Sequence, residues 1–405
     1  MKAAELQQAD GVEDWRVVGT GASTWFDAPS QTAGAALVAR IAELTGGNRL
    51  PDVDLRPSGV RVRIDGSPAE VELARAVSAV AQDLGLAADP AALQTIRFAI
   101  DAVDRPSVMS FWRTALAYEP ADDNSLADAL RRDPPISFHR LDQPRPLRNR
   151  IHFDVSRSPE AVDAVKTALG SQAYGPWQLT LADTEGNEVD LVPGGELAEG
   201  PETADWRVVF GAMTFYPTSS PAQAAALATA VAGLADDAGV PLLVDLRPDG
   251  VTIDSGKDVW EEDVPRFTAL AGQVQAAAHQ LALAADPSRL RFVQFGIDAV
   301  DVPAVRDFWT TLLGYQHDPR TNVSDIYDPR RLNPVIIVQQ LDASDEERRR
   351  QRNRIHFDLV VPDDQAQARI DTAVAAGGRI LTEPTLGRCT LADPEGNEVD
   401  IITNP

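Results

Sequence analysis

Arg148-Asn149-Arg150-Ile151-His152-Phe153-Asp154 and Arg352-Asn353-Arg354-Ile355-His356-Phe357-Asp358 are the same seven residues met twice in one chain. Each copy is followed by a second near-identity, Leu-Ala-Asp-Thr-Glu-Gly-Asn-Glu-Val-Asp at 181–190 and Leu-Ala-Asp-Pro-Glu-Gly-Asn-Glu-Val-Asp at 391–400. Working outward, Asp-Trp-Arg-Val-Val at 14–18 returns at 205–209, Val-Asp-Leu-Arg-Pro at 53–57 returns at 244–248, and Ile-Asp-Ala-Val-Asp at 100–104 returns at 297–301. The landmarks keep their order while the spacing between copies widens along the chain, as loop insertions between retained elements would make it. The chain is a tandem duplication. Its joint, 193–203, is rich in Gly, Pro and Glu and reads as a short linker.

Composition bounds the rest. A chain of 405 residues is too long for one ordinary core. With 44% hydrophobic and 24% charged residues it has the make-up of a folded protein. The net charge of -24 argues against nucleic acid or an anionic membrane as partner, because both need a basic footprint. The single cysteine, Cys389, excludes an internal disulfide and a Cys-based zinc site, and reads as a packing residue. The acidic, glutamine-bearing stretch Met1 to Trp15 lacks the apolar centre of a secretory signal. No apolar run approaches the roughly 18 residues of a spanning helix. A soluble, cytoplasmic protein is the expectation.

Each repeat divides in two. The front part opens with a Trp-Arg-Val-Val strand and a short segment at Trp25, followed by an alanine-rich helix, Ser30 to Leu44 or Pro221 to Ala235. Val53 to Arg56, a Pro-Ser-Gly turn and the strictly alternating Val60 to Ile64 make a hairpin. A second helix, Pro68 to Leu84 or Asp263 to Leu283, closes an order ββαββα, an α+β sandwich. The rear part runs strand, helix, strands, and then restarts at Ile-His-Phe-Asp, so βαβββ modules come in pairs. The predicted domains are 12–92, 93–195, 203–289 and 290–405.

Two resemblances follow from these residues. Each rear part resembles the vicinal-oxygen-chelate superfamily, in its glyoxalase-like and bleomycin-resistance-like branch. The likeness rests on Ile-Asp-Ala-Val-Asp with the Phe111-Trp112 or Phe308-Trp309 helix, on the Asn-Arg-Ile-His-Phe-Asp strand and on the Gly-Asn-Glu-Val-Asp ending. Each front part resembles pterin-4a-carbinolamine dehydratase through its tryptophan start, its helix and the hairpin at Pro51 to Leu55. That family relies on a His-His-Pro segment, whereas Arg49-Leu50-Pro51 and Val240-Pro241-Leu242 stand here, and no histidine precedes His279 in the front parts. With no imidazole to titrate near neutrality, dehydratase activity is not expected. A structural or dimerising role is, so a homodimer is among the expected states.

Strand alternation puts Arg150, His152 and Asp154 on one face and Ile151 and Phe153 on the other, and likewise Arg354, His356 and Asp358 opposite Ile355 and Phe357. In the superfamily the polar face lines a cup, and four strand positions supply its metal ligands where metal is present. Taken within each repeat, the resemblance implies Gln294, Gln339, His356 and Asp400 in the second domain. These could hold Zn, Ni, Mn or Fe, with His356 and Asp400 as the catalytic pair. In the first domain the set is Arg97, His139, His152 and Asp190. A guanidinium has no lone pair to give, so that domain is expected to be metal-free and to bind its ligand through those residues with Arg150 and, in the other copy, Arg354. Asp393, Pro394 and Gly396 read as a structural turn, Phe111, Trp112, Phe308 and Trp309 as core, and Arg348 to Arg350 as a solvated loop. Three functions stand open: a metal-assisted lyase, isomerase or dioxygenase on a small oxygenated molecule, a metal-free small-molecule binder, and an interaction scaffold.

Overall fold

The repeated Val-Asp-Leu-Arg strands meet each other. In the computed structural model, which describes residues 9–19, 21–65, 68–170, 172–385 and 387–403, Leu243–Arg247 pairs antiparallel with Asp52–Arg56 and sets Asp245 directly opposite Asp54. The first eight residues of the acidic N-terminal stretch lie outside the described residues. Two like charges side by side on a sheet repel. The arginine two places on in each copy resolves this. Arg56 Nη2 donates to Asp245 Oδ1 at 2.7 Å, Arg247 Nη2 to Asp54 Oδ1 at 2.6 Å, and Arg61 Nε to Asp54 Oδ2 at 2.6 Å. All five side chains are buried. Burial pushes the Asp54 carboxyl up, but Arg247 and Arg61 outweigh it and hold the group well below the usual carboxylate range.

Around that junction the chain forms one compact unit from residues up to Leu93 together with Gly194–Leu290. Strands Arg16–Val18 and Gly21–Asp27, helix Gln31–Leu44, strands Asp52–Arg56 and Gly59–Ile64 and helix Pro68–Asp83 give the order ββαββα. The order recurs from Arg207 to Gln280, and all these strands belong to one ten-stranded sheet. Part of the joint is structured, since Gly195–Glu196 pairs with Arg207–Val209. Ser30 and Ser220 cap the first helix of each copy by accepting from Ala33 N and Gln223 N. The two helices pack on each other, and the residues they bury are mostly small or branched, among them Ala35, Val38, Ala228 and Val231.

The second unit takes Gln94–Pro193 with Arg291 onward. Its eight-stranded sheet runs in the order Arg379–Thr385, Arg388–Ala392, Glu398–Ile402, Ile355–Val360, Thr95–Ala102, Ile136–Arg140, Ser125–Ala127 and Glu119–Asp122. Its seven-stranded sheet runs Thr180–Ala182, Glu188–Pro193, Ile151–Arg157, Phe292–Ala299, Ile336–Gln340, Asp325–Tyr327 and Gln316–His317. Each sheet therefore joins a module of one repeat to a module of the other. The His356 strand pairs with the Thr95 strand, and the His152 strand with the Phe292 strand. The cups expected within each repeat are exchanged.

The two copies of the seven-residue repeat are bonded to each other at the centre of this unit. Asn149 Oδ1 accepts from the backbone N of Arg354 at 2.7 Å, and Asn353 Oδ1 from that of Arg150 at 2.9 Å. Arg150 Nε donates to Asn397 Oδ1, and its Nη1 to the carbonyls of Arg348 and Gln351. Arg354 mirrors it, donating to Asn187 Oδ1 and to the carbonyls of Leu147 and Gly186. Arg150 and Arg354, expected to line the cups, are instead buried with their guanidiniums spent on this junction. Arg348 departs from expectation too. It sits on a short helix, Glu346–Arg350, and is buried, donating to Asn149 O and Asp298.

Beneath both sheets lies one core, in which Phe98, Phe153, Phe295 and Phe357 contact one another and Phe111, Trp112, Phe308 and Trp309 are buried. The two tryptophans donate to Asp183 and Asp393, the first residues of the Gly-Asn turns, at 3.0 and 3.1 Å. Cys389 is buried. No described helix is long and apolar enough to cross a membrane.

The Asp54 junction carries a prediction. Removing one partner of a buried ion pair strands the other charge, so Arg247→Met should destabilise the first unit by about 3–5 kcal/mol in urea unfolding. An unchanged midpoint would contradict the role given to this pair.

Candidate functional site

Two polar cups result from the exchange, one on each sheet of the second unit. In an antiparallel pair, residues directly opposite share a face. His356 lies opposite Ala99 and Asp358 opposite Arg97. Asp400 is level with Asp358 on the next strand, and His139 with Asp101. The His356 cup thus collects Arg97, Asp101, His139, His356, Asp358 and Asp400. Donor atoms of Asp101, His139 and His356 lie within 4.8 Å of one another, as do those of His356, Asp358 and Asp400.

This cup is crowded with cations as well. Arg388, two residues before Thr390 on the adjoining strand, pairs with Asp400 Oδ2, and the Thr390 hydroxyl donates to Asp400 Oδ1. Burial pushes Asp400 up, but these two hydrogen bonds outweigh it and hold the group below its ordinary value. Burial pushes both His356 and His139 down, with Arg388 adding to the effect on His139. Asp358 is the odd member. Burial pushes its carboxyl up to about 7, only partly opposed by Arg388, whose Nη2 stands 3.8 Å away, and its Oδ1 has no hydrogen bond.

The His152 cup holds what the first lacks. His152 lies opposite Gly296, Asp154 lies opposite Gln294 and level with Asp190, and Gln339 is level with Asp298. Donor atoms of His152, Asp154 and Asp190 lie within 4.8 Å of one another. Gln294 Nε2 donates to Asp154 Oδ2 at 2.9 Å, which leaves Gln294 Oε1 buried with no partner. His152 Nδ1 is buried without a partner as well. The ring rests on Gly296, where a Cβ would come within 2.2 Å of its Cε1 and Nε2. Ala99 occupies the matching place opposite His356, so the two imidazoles cannot sit alike.

The structure therefore regroups the predicted site residues. Gln294 and Gln339 join His152 and Asp190, while Arg97 and His139 join His356 and Asp400. Asp101, Asp154, Asp358, Arg388 and Gly296 complete the cups without having been singled out as site residues. Two of them were readable from alternation: Asp154 and Asp358 follow their histidines by two residues on the same strand. Arg388 and Gly296 offered no such signal, because their importance depends on which strand lies next to them.

The family profile described as glyoxalase-like domain matches residues 97–192 and 294–402, just over half of the chain. The chain belongs to the glyoxalase-like domain family, and with it to the vicinal-oxygen-chelate superfamily. Both matches lie in the second unit, and the comparisons lend no support to the dehydratase resemblance of the first. Among solved structures, glyoxalase I from Zea mays is 9% identical, with 76% of this chain and 93% of that one covered and a TM-score of 0.36. A glyoxalase/bleomycin resistance protein from Albidiferax ferrireducens T118 is 17% identical, covering 27% of this chain and 95% of its own, with a TM-score of 0.21. A glyoxalase-related enzyme from Fulvimarina pelagi is 19% identical over 27% and 86%, with a TM-score of 0.20. No curated protein sequence matches the chain.

Asp358 gives the site a measurable signature. Its folded value, about 7, lies above the value of about 4 for an unfolded aspartate. Between those values the folded chain keeps a proton that the unfolded chain has released, so this group lowers stability as pH rises through the window. Asp358→Asn should therefore gain Tm relative to the parent protein progressively between about pH 4 and pH 7. A difference in Tm that stays constant over that range would contradict the assignment.

Proposed function

We propose that the His152 cup is a metal-competent centre acting on a small oxygenated molecule, with His152, Asp154 and Asp190 as the ligands. The observation that carries this is the donor set. One imidazole and two carboxylates converge there, the amides of Gln294 and Gln339 face the same cup, and no arginine or lysine occupies the positions held by Arg97 and Arg388 in the other cup. Such a set suits a borderline or hard divalent ion such as Zn, Ni, Mn or Fe. The unpartnered His152 Nδ1 and Gln294 Oε1 support the same reading, since buried polar atoms ordinarily find partners.

The neighbours then take supporting roles. Gln294 holds Asp154 through its Nε2, and its own Oε1 is left buried without a partner. Gly296 admits the imidazole at a place any side chain would block. At the wall, the Tyr174 hydroxyl donates to Glu188 Oε1 at 2.6 Å, and Arg148 holds the other oxygen of Glu188. A bound metal would polarise a carbonyl or enediolate oxygen of the substrate as a Lewis acid. A lyase, isomerase or dioxygenase reaction is the class this proposal covers. His356 and Asp400, the pair first expected to be catalytic, stand in the cup where Arg388 already occupies Asp400. For the first unit the proposal is structural, because its paired Asp–Arg motif is consumed in its own sheet.

A second reading, a metal-free binding protein, is favoured by one observation: Asp154 already accepts from Gln294. Metal content decides between them. Protein purified without chelators should carry a stoichiometric divalent metal that is lost in His152→Ala and in Gly296→Ala and kept in His356→Ala. Metal-free protein whose Tm is not raised by Zn, Ni, Mn or Fe would leave the binding reading standing. Metal lost in His356→Ala and kept in His152→Ala would return the centre to the other cup.

A further inference from the structure

Tyr174 belongs to the His152 cup by topology. It forms a bridge opposite Thr180, Thr180 lies opposite Asp190, and Asp190 is level with Asp154. Residues directly opposite share a face, so one row runs across the sheet from Tyr174 to the two carboxylates. The Tyr174 hydroxyl donates to Glu188 Oε1 at 2.6 Å, and Arg148 holds the other oxygen. Glu188 stands two residues before Asp190, on the same face, and one place before Val189, which is level with Phe153. The phenol therefore ends beside the carboxylate that is level with His152. It is open to a ligand from outside, because Tyr174 is 42% exposed.

The hydrogen of this phenol is already committed. Burial, and after it the Glu188 carboxylate that accepts the hydrogen, push the group up, so it keeps its proton at neutral pH. Among the described residues nothing donates to its oxygen. What the phenol presents to the cup is thus an acceptor. The other cup has no such group. Thr382 holds the matching place opposite Thr390, and Glu398 takes Arg352 at both oxygens.

We infer that Tyr174 is a specificity-determining residue of the His152 cup, its phenol oxygen accepting from a free hydroxyl of the small oxygenated molecule. The inference rests on the reading of that cup as the metal-competent centre. A hydroxyl completes a chain in which the ligand donates to Tyr174 and Tyr174 donates to Glu188, already held by Arg148. An ether or a second carbonyl at the same place would set lone pairs against lone pairs. The ligand class is a carbonyl compound with a free hydroxyl, as against its O-alkylated form.

Hydroxyacetone and methoxyacetone test this, since both bring a ketone and a second oxygen and only the first brings a hydroxyl hydrogen. In calorimetric titrations of the whole protein, hydroxyacetone should bind about fivefold more tightly than methoxyacetone, the worth of one net hydrogen bond. In Tyr174→Phe that ratio should fall to about one through weaker hydroxyacetone binding, with the metal content of the parent protein retained. A merely structural tyrosine would shift both ligands together and keep the ratio. With metal present in the parent protein and lost in His152→Ala, a parent ratio near one, or a ratio kept in Tyr174→Phe, would overturn this inference alone. A parent protein without metal would overturn the metal reading and this inference with it.

Discussion

The reciprocal bonds between Asn149 and Arg354 and between Asn353 and Arg150 are the constraint on which the second unit depends. Each asparagine reaches from one repeat to the backbone of the other, and each arginine then closes over the turn that follows. A guanidinium taken fully out of water is costly unless its donors are satisfied. Arg354 is 0% exposed and makes its bonds to carbonyls and an amide that belong to the other copy. Those acceptors are in reach because the two repeats meet at this junction. The first unit solves the same problem with a different pair, where Asp54 and Asp245 lie side by side and each takes the other copy's arginine.

Interleaving has a chemical consequence. Each cup draws half its lining from each repeat, so a substitution in one repeat alters only one of the two cups, whereas its counterpart alters the other. Arg97 and His139 changed the His356 cup, while Gln294 and Gln339 set the character of the His152 cup. Gly296 against Ala99 is a smaller change with a large effect, because it decides whether an imidazole can lie flat on the neighbouring strand. From one ancestral strand pattern the chain has made two cups that differ in composition, with Arg97 opposite Asp358 in one and Gln294 opposite Asp154 in the other.

Much of this was legible in the residues. The duplication, the order of elements, the helix bearing Trp112 or Trp309 and the polar faces of the histidine strands follow from repetition and from periods of 2 and 3.6. The partner of each strand does not. Ile151–Arg157 and Ile355–Val360 have the same apolar and polar faces, so alternation fits either one equally well against the Thr95 strand. What separates the two pairings is the arrangement of the modules in three dimensions, which no period reports. The same limit explains Arg150 and Arg354. Alternation aims them into the cups, but each stands at the residue before its strand begins, where the backbone turns the side chain into the junction. Asp358 was visible as a face residue, whereas its raised carboxyl value depends on burial and on the distance of Arg388.

The pairing itself is the claim from which the cups follow, and a designed disulfide reads it directly. Thr95 lies directly opposite Val360 across the exchanged strands, whereas pairing within the second repeat would put Phe292, the counterpart of Thr95, in that place. A cross-strand cysteine pair can close when its Cβ atoms stand about 4 Å apart. The account predicts that Thr95→Cys with Val360→Cys forms an intramolecular disulfide under mild oxidation, while Phe292→Cys with Val360→Cys does not. A disulfide in the second protein and none in the first would contradict the exchange and the composition of both cups.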